Sequence, residues 1–108
     1  MDVSIQQTLQ KEIEDTQRWL NLEREEGTYK RDLAKRIELI NWVLENMKKP
    51  NVQICELMES RLNQIILKIN QTDDFFEADK LHSELRILDW IFYQVCIGQQ
   101  VSLQKELR

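Results

Sequence analysis

Apolar positions recur at helical spacing along almost the whole chain, and they are densest over 75–98, where Leu85-Arg86-Ile87-Leu88-Asp89-Trp90-Ile91-Phe92-Tyr93-Gln94-Val95 is the most apolar run. On a helix turning about 100° per residue, Ala78, Leu81, Leu85, Leu88, Phe92 and Val95 share one face at i, i+3, i+4, i+7 spacing. Phe76, Ile87, Trp90, Ile97 and Val101 fall on roughly the opposite face, with Ile91 between the two stripes. A surface helix keeps its outer side polar, so this fourth helix is expected to be central in the fold or to lend its second face to an interface.

Three earlier stretches read the same way. Ile5, Leu9, Ile13, Thr16 and Leu20 make a stripe with Trp19 on its flank; Ser4 and Gln7 have capping-box spacing, and Gly27 is the expected stop. Thr28 is the expected cap of a second helix, with Tyr29, Leu33, Ile37, Ile40, Leu44 and Met47 facing inward, and Pro50 forbids its continuation. Asn51 is the expected cap of a third, with Ile54, Met58, Leu62, Ile65 and Ile69 as its stripe, widened by Cys55 and Ile66. The polar run 70–74 then ends the pattern, and Asp74 with Glu77 caps the fourth helix.

The spacing therefore predicts an all-α fold: an antiparallel four-helix bundle of two tandem hairpins, 4–49 and 51–98, in up-down-up-down order within a single domain. Gly98 is the expected end of the last helix. The tail 99–108 keeps Val101, Leu103 and Leu107 at near-helical spacing, and its course stays open.

The two hairpins echo each other. Aligned on Trp42 and Trp90, apolar residues meet at Ile37/Leu85, Leu39/Ile87, Ile40/Leu88, Val43/Ile91, Leu44/Phe92 and Met47/Val95. With one further residue of offset, Val3, Ile5, Leu9 and Ile13 match Val52, Ile54, Met58 and Leu62. Duplication and chance resemblance of amphipathic helices both remain open at this point.

Composition narrows the function classes. The 108 residues include 2 glycines and 1 proline, too few turn formers for an all-β fold, and 31% are charged. A net charge of −4 is opposite to the footprint of a general nucleic-acid binder. Cys55 and Cys96 lie far apart among apolar neighbours, which predicts buried reduced thiols and a cytoplasmic setting. The start Met1–Gln7 has neither a basic n-region nor an apolar h-region, so no signal peptide is expected. No apolar run is long enough to span a bilayer.

Chemistry is sparse. The single histidine, His82, stands three residues after Asp79; di-iron bundles need Glu-x-x-His on two helices plus further glutamates, so a solvated or boundary histidine is expected. Glu56 with Glu59, and Glu23 with Glu26, have the i, i+3 spacing that lets two carboxylates share magnesium. All-α nucleotide pyrophosphohydrolases add a Glu-x-x-Asp element on a later helix, but here Glu77 and Asp79 are one residue apart and diverge by about 200°. No nucleophile elbow or phosphate-cradling glycine loop is present.

No catalytic activity, cofactor or metal is expected. The remaining signals are a basic cluster, Arg24, Lys30, Arg31, Lys35 and Arg36, and the second apolar face of the fourth helix, Phe76, Ile87, Trp90, Ile97 and Val101, helped by Leu39 and Trp42 from the second. The leading expectation is a protein–protein interaction module, a small cytosolic adaptor, assembly factor or inhibitor of the kind often encoded by bacteria and their phages. Its expected partner is first a second copy of the chain in a homodimer. A nucleic-acid-associated regulator using the basic cluster is the alternative, and a metal-dependent nucleotide hydrolase comes third.

Overall fold

The computed structural model describes residues 3–97. They form four α-helices, α1 (Val3–Leu22), α2 (Thr28–Met47), α3 (Ile54–Gln71) and α4 (Phe75–Phe92), and a π-helical turn, Tyr93–Ile97, with no strand among the described residues. Helix α1 packs on α2 and α3 on α4, so the fold is all-α and its pairing is that of a helical bundle. Two compact units meet at the Val52–Gln53 junction, and each is one hairpin. The expected Gly98 stop, Val101 and the tail 99–108 lie outside the described residues.

In the first hairpin, Ile5, Leu9 and Thr16 of α1 and Leu39, Ile40 and Val43 of α2 are buried. The helices run antiparallel: Arg36 Nε donates to Glu12 Oε1 at 2.9 Å, midway along both, and the start of α1 at Gln6, Gln7 and Gln10 shares a cleft with Leu44 and Lys48 at the end of α2.

Helix ends differ from the expectations in identifiable ways. Helix α1 stops at Leu22, before Glu23, Glu25 and Glu26, whose charges are unfavourable at the negative end of a helix dipole. Gly27 consequently does not close α1. It caps α2 instead, with φ 160° and ψ −165°, an extended rather than left-handed conformation, and its carbonyl accepts the Arg31 N–H at 3.0 Å. Thr28 and Ser4 are helical residues rather than caps. Asn51 does not cap α3, which begins at Ile54 after Gln53, because residues beyond Pro50 first form a turn in which the Val52 N–H reaches Lys49 O at 3.4 Å.

In the second hairpin, Ile54, Met58 and Ile65 of α3 and Leu81, Ile87, Leu88 and Ile91 of α4 are buried, with Val95 of the π turn. The expected Asp74 cap is present: its Oδ1 accepts from the Phe76 and Glu77 amides at 2.9 and 3.4 Å, and Thr72 Oγ1 accepts from the Asp74 amide at 3.2 Å. Two side chains thus fix the short α3–α4 turn.

The opposite, open end of this hairpin is closed covalently. Cys55, in the first turn of α3, and Cys96, in the π turn, form a disulfide with their Cα atoms 6.0 Å apart. The expectation of two reduced thiols is therefore corrected. Residues 41 apart in sequence become neighbours because an antiparallel hairpin returns the end of its second helix to the start of its first.

The echo between hairpins extends into three dimensions. Buried Ile5, Leu9 and Thr16 correspond to buried Ile54, Met58 and Ile65, and buried Leu39, Ile40 and Val43 to buried Ile87, Leu88 and Ile91. Trp42 and Trp90 are both half-buried. The mid-helix ion pair recurs with its polarity reversed: Glu12–Arg36 at 2.9 Å in the first hairpin corresponds to Arg61–Glu84 at 3.0 Å in the second. Each pair is half-buried, and each ties one helix of its hairpin to the other.

Candidate interaction surface

The second face read on α4 divides once burial is known. Leu39 at 0% and Ile87 at 8% relative exposure are core residues, a correction to their place on an outward face. Their neighbours on the same turns, Ile40 and Leu88, are buried as well, so the apolar arc of each helix is wider than a single stripe. Trp42 and Trp90 are half-buried, while Phe76 and Ile97 are exposed; Val101 lies outside the described residues.

Most of the exposed apolar bulk among the described residues gathers at the turn end of each hairpin, with Tyr93 and Ile97 at the other end of the second. In the first, Trp19 and Leu22 precede the α1–α2 turn and Tyr29 follows it, all exposed. In the second, Ile66 and Leu67 lie in the last turns of α3, and Phe75 and Phe76 open α4. The two phenylalanines are 80% and 78% exposed, with ring centroids 6.2 Å apart in an edge-to-face arrangement. Asp74 fixes their backbone, since its carboxylate holds the amide of Phe76 itself. Phe75 was missed in the sequence because it falls outside both stripes of α4. The available signal was its setting, two aromatic residues in a helix's first turn flanked by Asp73, Asp74 and Glu77.

The basic cluster is laced with acids. Lys30 meets Glu26 at 2.8 Å, Arg31 meets Asp32 at 3.1 Å, Lys35 meets Glu38 at 2.8 Å and Arg36 meets Glu12 at 2.9 Å; Arg24 is exposed on the α1–α2 turn. Phosphates would have to compete with these carboxylates for the same guanidinium and ammonium groups.

His82 is exposed, as are Glu56 and Glu59. Among the described residues, no group of three or more His, Cys, Asp or Glu side chains is placed to hold a metal ion. A cleft of about 280 Å³ at the open end of the first hairpin is lined by Gln6, Gln7, Gln10, Leu44 and Lys48. Its lining carries amides and one ammonium but no general base or nucleophile. No helix among the described residues is long and apolar enough to cross a membrane. In comparisons with known proteins, no family model, no curated protein and no solved structure matches this chain.

Proposed function

We propose that this chain is a non-catalytic protein–protein interaction module, an adaptor, assembly factor or inhibitor. One observation carries the reading: Phe75 and Phe76, with Ile66 and Leu67 in the last turns of the preceding helix, leave large apolar side chains in water at one end of the second hairpin. Aromatic groups at that level of exposure give up favourable burial in the free chain, and contact with a partner recovers it. The rigid turn under them favours the same assignment, because a surface held in place loses little entropy on docking.

The disulfide supports an oxidising setting over the cytosol, where such bonds are rare. Light scattering behind a sizing column, over a hundredfold range of concentration, tests the simplest form of the proposal. A dimer that dissociates on dilution identifies the partner as a second copy, whereas a monomer throughout directs the search to another protein. A thermal midpoint raised by millimolar magnesium would count against the non-catalytic part, since a ligand that binds the folded state must stabilise it.

A further inference from the structure

Resting on that reading, we infer that the turn end of the second hairpin docks onto a basic amphipathic helix of another protein, one whose apolar stripe is bordered by Lys and Arg. Two features select this occupant. Phe75 and Phe76 supply an exposed aromatic pair on a fixed helix start. Around them stand exposed Asp73, Asp74, Glu77 and Asp79, against exposed Lys68 and Lys80 on the adjoining turns, so the rim is net acidic. An apolar centre with an acidic border matches a stripe with a basic one.

The same border disfavours two other occupants. In a twofold contact through this surface, each acidic rim would face its own copy, which costs affinity. An anionic lipid surface would repel the rim at the depth where the rings would have to insert. A basic amphipathic helix satisfies both centre and border, its apolar stripe meeting the two rings and its basic flanks the acidic rim.

The test is a fluorescence-polarisation titration of the oxidised 108-residue chain with a labelled Leu/Lys amphipathic peptide, alongside a Leu/Glu peptide of the same pattern. Wild type is expected to bind the Leu/Lys peptide saturably and the Leu/Glu peptide not at all. The Phe75→Ser/Phe76→Ser variant keeps its charge and, since both rings are solvent-exposed, its circular dichroism, while its affinity falls at least about tenfold. Asp73→Asn/Glu77→Gln weakens binding at low salt and flattens its salt dependence.

Equal binding of the Leu/Lys peptide by wild type and the Phe75→Ser/Phe76→Ser variant overturns the inference, because net charge alone would then hold it. Equal binding of both peptides by wild type removes the basic partner and leaves the interaction module standing. So does self-association that the phenylalanine substitutions abolish. Sedimentation with phosphatidylserine vesicles, without peptide binding, refutes both the inference and the protein-interaction reading. Phenylalanine substitutions that change none of these associations refute both as well.

Discussion

Opening the Cys55–Cys96 bond is the perturbation whose size follows most directly from the fold. The bond closes a segment with a sequence separation of 41 residues. In the chain-entropy description, a cross-link over that length restricts the unfolded state by about 13 cal/mol/K, or about 4 kcal/mol at 25 °C. A hairpin this small has a limited core to set against that loss, which would consume much of a typical domain's stability.

Cys55→Ser, Cys96→Ser and wild type reduced by a phosphine should all therefore show the same deficit. At an m-value of about 2 kcal/mol/M, the urea midpoint should fall by roughly 2 M. Far-UV circular dichroism reads both hairpins, and a variant retaining Trp90 as its sole tryptophan reads the second alone by fluorescence. The reasoning fails if thiol titration of the denatured, never-reduced protein finds two free cysteines. It fails equally if reduction moves the second hairpin's midpoint by an amount worth less than about 1 kcal/mol.

Three smaller perturbations test other parts of the fold. Asp74→Ala removes the acceptor for two amides and should cost about 1 kcal/mol in urea unfolding, while Asp74→Asn should recover most of it. Met58→Ala empties a fully buried site between α3 and α4 and should cost about 2–5 kcal/mol by the same assay. Glu12→Arg and Arg36→Glu should each destabilise the first hairpin by up to about 1 kcal/mol. Combined, they reproduce the polarity of Arg61–Glu84, and a double-mutant cycle should show the loss largely restored.

Much of this architecture can be read from residue spacing. Ile5, Leu9, Thr16, Ile40, Ile54, Met58, Ile65, Leu81, Leu88 and Val95 fall on the spaced stripes and are buried. They are legible because helical periodicity and burial have one cause, an apolar face turned toward a neighbour. The helix caps were less legible. Gly27 is compatible with closing one helix or opening the next, and the cluster of glutamates before it decided the matter through charge rather than dihedral preference.

The cystine was illegible for a different reason. Sequence distance says nothing of spatial distance until the hairpin is known, and two apolar surroundings fit buried thiols as well as a bridge. Leu39 and Ile87 were misplaced because a fixed rotation per residue draws a narrow stripe, whereas a close-packed helix buries a broader arc. Phe76 was legible as part of the second apolar face of the fourth helix and is exposed, whereas Phe75 falls on neither stripe and periodicity had no signature for it.

The π turn at Tyr93–Ile97 carries a consequence for how this chain tolerates changes in length. A π turn holds one residue more than the α turn it replaces, so a single-residue deletion between Tyr93 and Val95 would let α4 wind on regularly. Because the π turn absorbs that one residue, removing it would keep Cys96 on the side of the hairpin that carries Cys55, whereas winding the undeleted residues as regular α-helix would turn Cys96 away. The cross-link thus depends on the phase that the turn gives Cys96, and not on the extra residue itself. An engineered single-residue deletion there should therefore leave the cross-link intact, with no free thiol on titration of the denatured protein.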